Sequence, residues 1–146
     1  MAVRYLLDTN IASYVIKGNL PRVRERLVNV PMAEVGISVV TEAELRFGVE
    51  RRPGASRLKI AAEEFLLRVE ILAWTSAAAK SYAILRSALE RAGTTMGNLD
   101  IMIAAQGLAA SAVLVTHDRA FHRVKHLKVE DWTKGYGCVI RSFLSL

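Results

Sequence analysis

The chain has 146 residues, 52% of them apolar and 23% charged, which excludes a disordered protein and predicts one globular domain. A single cysteine, Cys138, excludes an internal disulfide, and the lack of an apolar run of about 18 residues or of a signal-peptide pattern predicts a cytoplasmic protein with no membrane contact. Lysine and arginine number 20 against 14 aspartates and glutamates, and this excess of +6 favours a polyanionic partner, nucleic acid above all.

Segments of strand and helix character alternate along the chain. Short apolar or β-branched stretches predict strands at 5–7, 34–40, 69–72, 112–115 and 127–129. Helical periodicity, capping residues and helix breakers such as Gly18 and Pro21 predict helices at 11–17, 22–28, 41–50, 56–69, from 75 or 76 to about 93, and from 98 onward. This alternation predicts an α/β domain with a parallel sheet.

Aspartate is rare in this chain, occurring only at positions 8, 100, 118 and 131. Asp8 and Asp118 follow predicted strands, and the carboxyl ends of parallel strands form the crevice where ligands bind. Asp100 opens a helix that is otherwise almost free of charge. Each also has a structural explanation, since Asp8 and Asp118 can cap the following helices and Asp100 can interact with its helix dipole. Three acids at equivalent positions favour a functional cluster.

Glu44 is a further candidate with two competing explanations. The pattern Thr41-x-x-Glu44 is also a capping box, in which Glu44 bonds only to the amide of Thr41. Glu42 lies two positions away, on nearly the opposite face of the predicted helix, so only one of the two glutamates can face the cleft. Periodicity alone leaves both choices open.

A cluster of carboxylates predicts a bound cation. Like charges at close range raise carboxyl pKa values unless cations neutralise them, and Mg²⁺ or Mn²⁺ suits a site made only of oxygen ligands. Such metals activate water and neutralise a phosphoryl oxygen during displacement. An acidic pocket on a basic protein therefore favours cleavage of nucleic acid.

The chain resembles the PIN-domain ribonucleases in four stretches that occur in the family's order: LLDTN at 6–10, ISVVTEAELRFG at 37–48, NLDIMIAA at 98–105 and VTHDRAF at 115–121. The similarity is greatest to the VapC toxins of bacterial toxin–antitoxin pairs. It implies a PIN-like three-layer α/β/α domain with a central, mostly parallel, twisted sheet over 1–132, followed by an apolar tail at 133–146.

The resemblance also implies the functional residues and partners. It assigns metal binding and catalysis to Asp8, Glu44, Asp100 and Asp118, which selects Glu44 over Glu42. It places the polar residues Thr9, Asn10 and Thr116 beside them, where they would orient carboxylates or water. The activity implied is an Mg²⁺- or Mn²⁺-dependent endoribonuclease that cuts structured RNA, often tRNA and in some bacterial relatives the anticodon region of initiator tRNA. The partners implied are a VapB-type antitoxin and a second copy of the chain.

Two features depart from the family's pattern. His117 stands where relatives usually carry asparagine, which makes Asp118 the least secure of the four acids. The tail at 133–146 runs past the point where relatives commonly stop, and we expect it to be either disordered or partner-binding.

A basic patch near the end of the third predicted helix is the candidate contact for the RNA backbone. It consists of Arg46, Arg51 and Arg52, and a solubilising helix end is an equally good explanation of these charges.

Two other functions compete with the nuclease. One is a non-cleaving RNA-binding module, which the four intact acidic positions argue against. The other is a receiver-like phospho-acceptor domain, which usually needs two adjacent acids after the first strand, whereas Asp8 is followed by Thr9 and Asn10.

Overall fold

The computed structural model describes residues 2–134 and contains a five-stranded sheet. The strands are β1 (Tyr5–Leu7), β2 (Val35–Ser38), β3 (Glu70–Leu72), β4 (Val113–Val115) and β5 (Val129–Glu130). Every pairing between neighbouring strands is parallel, in the order β3-β2-β1-β4-β5. The described sheet is thus entirely parallel, where we predicted a mostly parallel one. The tail prediction concerns residues that lie, except for 133 and 134, outside the described range.

Six α-helices connect these strands. They are α1 (Thr9–Lys17), α2 (Pro21–Val28), α3 (Val39–Glu50), α4 (Ser56–Arg68), α5 (Ser76–Arg91) and α6 (Asn98–Ala110), with short 3₁₀ turns at Met32–Glu34 and Arg119–Arg123. Gly18 ends α1 at a φ of 66°, a left-handed conformation that glycine adopts at little cost, as its position in the sequence predicts. Over residues 2–134, none of these helices is both long and apolar enough to cross a bilayer.

Two hydrophobic clusters cover the two faces of the sheet. Successive residues of a strand point to opposite faces, so Leu7 enters one cluster and Leu6 the other, and both side chains are fully buried. The first cluster draws on α1, α2 and α4, and the second on α5 and α6. This arrangement confirms the predicted three-layer α/β/α architecture.

The strand order places a topological switch point beside β1. The chain moves from β1 outward through β2 to β3, and then returns to the other side of β1 to form β4 and β5. In open parallel sheets, ligands bind outside the carboxyl ends of the strands at such a point. Asp8 follows β1 directly, and Thr116 follows β4, so both lie at this position.

The structure corrects several predicted boundaries, and the largest shifts are at α1, at the junction of β2 and α3, and at β5. Helix α1 begins at Thr9, two residues earlier than predicted, because Asp8 itself is the N-cap. Strand β2 ends at Ser38 and α3 begins at Val39, because the Ser38 side chain caps that helix by accepting a hydrogen bond from the Val40 amide. The β-branched residues at 39 and 40 therefore belong to a helix, against their propensity. Strand β5 lies at Val129–Glu130 and overlaps the predicted segment by one residue.

Candidate active site

The sheet's carboxyl edge contains a small acidic pocket. It has a volume of about 180 Å³ and is lined by Asp8, Thr9, Asn10, Glu44, Asp100, Asp118 and Phe121. Its four carboxylates come from the ends of β1 and β4 and from helices α3 and α6. All four predicted acids therefore line one cavity, although they are up to 110 positions apart in the chain.

Asp8 combines a structural role with a place in the pocket. Its Oδ1 accepts a hydrogen bond from the Ile11 amide at 2.8 Å, which caps α1. Its Oδ2 accepts a hydrogen bond from the Thr116 hydroxyl. The same hydroxyl oxygen accepts from the Asp118 amide at 3.0 Å, so Thr116 links the ends of β1 and β4. Capping and site formation are thus compatible, since each uses a different carboxylate oxygen.

Asp118 is exposed and caps the 3₁₀ turn that follows it. Its Oδ1 accepts from the Ala120 amide at 2.9 Å. The preceding side chain, His117, faces elsewhere: its Nδ1 lies 2.9 Å from an oxygen of Asp131 and 3.1 Å from the Thr133 hydroxyl. The histidine at this position therefore leaves the carboxylate of Asp118 on the pocket wall.

The structure also decides between the two glutamates of α3. No capping box forms, because Ser38 is the cap and Glu44 Oε1 instead accepts a hydrogen bond from the Thr9 hydroxyl at 2.7 Å. Glu42 points away and binds the guanidinium of Arg46 at 3.0 Å. The capping-box explanation of Glu44 is therefore wrong, and Glu44 is the glutamate that faces the pocket.

A buried threonine completes this contact and was considered in the sequence only as a helix cap. Thr41 is fully buried, and its hydroxyl lies 3.1 Å from that of Thr9. A hydroxyl has one proton, and Thr9 donates its proton to Glu44, so Thr41 must be the donor to Thr9. The resulting chain from Thr41 through Thr9 to Glu44 orients the carboxylate. The signal for Thr41 in the sequence is its position one helical turn before Glu44, which we interpreted as part of a capping box.

The acids of the pocket repel one another. Burial raises the pKa of Asp8, and the nearby charges of Asp100 and Asp118 raise it further, against the hydrogen bonds from Thr116 and Ile11 that lower it. Burial likewise raises the pKa of Asp100, followed by the charges of Asp118 and Glu44. No ion pair within residues 2–134 involves any of these four acids. The pocket thus concentrates negative charge that no side chain of the described chain neutralises.

Asp131, the fourth aspartate of the chain, lies in a different environment. Partial burial would raise its pKa, but hydrogen bonds from Thr133 and His117 outweigh that effect, so its pKa falls below the ordinary value. It does not line the acidic pocket. Asp131 fastens the segment after β5 to the loop after β4 and serves as an internal comparison for the three clustered aspartates.

The donor set of the pocket fits a hard divalent cation. All of its charged ligands are carboxylate oxygens, the ligand type that Mg²⁺ and Mn²⁺ prefer. Among residues 2–134, no three His, Cys, Asp or Glu side chains close around a single point to hold a metal ion directly. Mg²⁺ does not require this, because it usually keeps several waters and takes only one or two protein carboxylates. The repulsion among the acids, and the lack of a cationic partner for them among the described residues, fit such an ion.

A larger groove continues from the acidic pocket. Its volume is about 360 Å³, and it shares Thr9, Asn10 and Glu44 with the pocket. Its cationic wall consists of Lys17, Arg51 and Arg52. The third predicted cation, Arg46, is not part of this wall, since its guanidinium binds both Glu42 and Glu63. The structure therefore separates Arg46 from Arg51 and Arg52.

Comparison with known proteins agrees with this geometry. Residues 5–127 match the family model of the PIN domain. The tRNA(fMet)-specific endonuclease VapC of Shigella flexneri is 36% identical over 132 residues, which cover 90% of this chain and 99% of the relative.

Solved structures give the same result. The DNA-bound VapBC of Salmonella typhimurium superposes with a TM-score of 0.83 at 34% identity, covering 89% of this chain and 98% of that one. VapBC2 of Rickettsia felis, bound to a DNA fragment from its promoter, gives a TM-score of 0.81 at 31% identity, covering 89% and 99%. By sequence and by structure, the chain belongs to the PIN-domain family and, within it, to the VapC ribonucleases.

Proposed function

We propose that this protein is a metal-dependent endoribonuclease toxin that cuts tRNA, with initiator tRNA as the first candidate, and that a VapB-type antitoxin inhibits it. The observation that carries the proposal is the pocket in which Asp8, Glu44, Asp100 and Asp118 converge, with no cationic side chain of residues 2–134 in its lining. The name of the Shigella relative, a tRNA(fMet)-specific endonuclease, supports the substrate. The VapBC complexes among the similar structures support the antitoxin.

In this proposal the four acids hold Mg²⁺ or Mn²⁺. The bound metal supplies charge neutralisation at the phosphodiester and a water of lowered pKa for attack. The chain's own residues fix the ligands: Thr116 holds Asp8 beside the Asp118 loop, and Thr9 holds Glu44. Asn10 lines the pocket from the first turn of α1, where it can bind water or a phosphate oxygen. The assembled toxin is expected to be a homodimer, as in the family.

The direct test is cleavage of an initiator tRNA transcript by purified, antitoxin-free protein. We expect discrete fragments with Mg²⁺ or Mn²⁺ and none with EDTA, because the acids alone cannot neutralise the phosphodiester. Returning excess Mg²⁺ to the EDTA-treated sample should restore cleavage and serves as the control. Intact RNA with either metal would favour a binding-only role, and fragments that persist in EDTA would exclude metal dependence.

Arg51 and Arg52 are expected to bind the RNA backbone along the groove. Replacing both by alanine should weaken tRNA binding and reduce the slope of log K against log salt concentration by about 1.5, since each lost phosphate contact removes roughly 0.7 to 0.9. The measurement is a salt titration of binding with an Asp8→Asn protein, which should bind without cutting. Arg86→Ala is the matched control, because Arg86 lies on α5 and is held by Glu90 and Tyr82. An unchanged slope in the double variant would contradict the assignment.

Thr41 is expected to act as a positioning residue for Glu44. Thr41→Val keeps the shape but removes the donor to Thr9, and we expect cleavage to fall roughly five- to tenfold, the value of about one hydrogen bond. More Mg²⁺ should be needed for half-maximal cleavage, a shift that a purely structural role would not produce. Thr41→Ser retains the hydroxyl and should restore both values. Equal behaviour of the valine and serine variants would remove Thr41 from the site.

A further inference from the structure

The groove beside the acidic pocket contains an exposed aromatic side chain. Phe47 in α3 is 61% exposed and is the aromatic residue among the large apolar side chains that are exposed within residues 2–134. It lines the groove, and the guanidinium of Arg51 lies 5.0 Å from the centroid of its ring. The groove, which adjoins the acidic pocket, therefore contains an aromatic ring with a guanidinium beside it.

The size and charge of the groove suit a nucleotide. The acidic pocket, at about 180 Å³, falls below the roughly 300–1,000 Å³ of small-molecule sites, whereas the groove, at about 360 Å³, falls within this range. Apolar side chains such as Ile16, Leu45 and Leu58 line it together with the cations. An apolar surface for a base and cations for a phosphate thus occur in one cavity.

We propose that this groove is a subsite for one unpaired nucleotide of the RNA, next to the phosphodiester that is cut. The base stacks on Phe47, and the cations Lys17, Arg51 and Arg52 bind its phosphate. Stacking on aromatic rings and on arginine is how proteins commonly hold unpaired bases. The inference rests on the proposed nuclease function and adds to it a site in the groove for the base beside the cut.

The continuity of the two cavities gives the subsite its position. Thr9, Asn10 and Glu44 line both, so a strand whose phosphodiester lies at the acids extends directly into the groove. Three cations, Lys17, Arg51 and Arg52, line the groove against one acid, Glu44, and this excess of positive charge matches a nucleic-acid backbone. A peptide partner is the competing occupant, and the experiment separates the two.

The experiment is a double-mutant cycle between Phe47 and the RNA. The cut in initiator tRNA is first mapped with wild-type protein, and abasic nucleotides are then placed one at a time at successive positions on both sides of it. Phe47→Ala should lower the cleavage rate of intact RNA roughly tenfold or more, the usual effect of losing a stacking ring. An abasic nucleotide at one position should lower the wild-type rate similarly. The two changes together should cost no more than either one.

Two further variants give the controls. Phe47→Tyr keeps a ring and should restore cleavage, whereas Phe47→Leu keeps apolar volume without a ring and should not. Ile84→Ala removes an equally exposed apolar side chain, 66% accessible, from α5 and should match the wild type. Thermal melting of each variant verifies folding, and the leucine variant replaces the alanine variant if the latter does not fold.

The outcomes separate this inference from the function on which it rests. If wild-type protein fails to cut the RNA, the proposed function fails and the cycle is not needed. The nucleotide subsite is overturned if the wild type cuts the RNA and Phe47→Ala cuts it equally well. It is also overturned if the rate reduction caused by Phe47→Ala multiplies in full with the rate reduction caused by an abasic nucleotide at every position. If Phe47→Ala cuts the RNA as fast as the wild type but is no longer inhibited by the cognate antitoxin, the groove binds a peptide instead.

Discussion

An Asp8→Asn variant is expected to cut initiator tRNA about a thousandfold more slowly than the wild type. In the proposed mechanism the substitution removes one negative ligand of the metal. Metal neutralisation of a phosphoryl group contributes several kcal/mol to the transition state, at 1.36 kcal/mol for each factor of ten. The fold should persist. Asparagine caps helices as well as aspartate does, so the Ile11 amide retains its acceptor. The measurement is single-turnover cleavage with saturating Mg²⁺, together with the melting temperature of each protein.

Asp131→Asn is the matched control for this variant. Asp131 is also a partly buried, hydrogen-bonded aspartate near the carboxyl edge of the sheet, but it bonds to His117 and Thr133 and does not line the pocket. It should cut at close to the wild-type rate. If Asp8→Asn keeps more than about a tenth of the activity, Asp8 is only a helix cap. If both variants lose activity equally, the loss comes from the fold.

Asp100→Asn is expected to have two opposite effects. Cleavage should fall by a factor similar to that of Asp8→Asn, because a metal ligand is lost. The melting temperature in EDTA at pH 7 should rise by roughly 1–4 °C, a modest value because solvent partly screens a half-buried carboxylate. The reason is the repulsion that raises the pKa of Asp100: burial first, then the charges of Asp118 and Glu44. Asparagine removes the charge.

The direction in which Asp8 and Asp100 change the protein's stability with pH follows from the sign of their pKa shifts. A carboxyl group whose pKa is raised in the folded protein contributes stability below its unfolded value, near 3.8, and loses this contribution as pH rises through the folded value. The contribution of Asp8 and Asp100 to the stability of the metal-free wild type should therefore decline from about pH 4 upward, and Asp100→Asn should show less of this decline. Saturating Mg²⁺ should raise the melting temperature of the wild type more than that of the variant.

Melting curves from pH 4 to 8 in EDTA test this prediction. Glu42→Gln is the control, since Glu42 is also a half-buried acid but is paired with Arg46. Neutralising it should therefore not raise the melting temperature. A lower melting temperature for Asp100→Asn at pH 7 would show that the interaction of Asp100 with the dipole of α6, in whose first turn it lies, outweighs the repulsion.

Much of the architecture could be predicted because local signals agreed with tertiary structure. The alternation of strands and helices gave the parallel sheet, and the rarity of aspartate drew attention to positions 8, 100 and 118. The boundary between β2 and α3 could not be predicted in this way. Val39 and Val40 have strand propensity, but they form the start of α3, which the Ser38 side chain caps by accepting a hydrogen bond from the Val40 amide.

The site could be predicted by residue type but not by contact. A sequence pattern cannot distinguish Glu42 from Glu44, which are two positions apart. The choice between them depends on tertiary contacts: Thr9, 35 positions from Glu44, donates a hydrogen bond to it, whereas Glu42 pairs with Arg46. The sequence could not separate Arg46 from the other two arginines of the basic patch for the same reason. Arg46 has the charge of Arg51 and Arg52, but its partner Glu63 comes from another helix, 17 positions along the chain.

The bond between Thr116 and Asp8 has a consequence for the moment at which the toxin becomes active during its synthesis. These residues are 108 positions apart, and β4 must lie beside β1 before the bond can form. Asp100 and Asp118 also belong to the last third of the described chain. A growing chain emerges at about 5–20 residues per second, so the early strands wait several seconds for their partners. The nuclease centre therefore cannot assemble on a short nascent chain and must wait until residues as far as Asp118 have emerged.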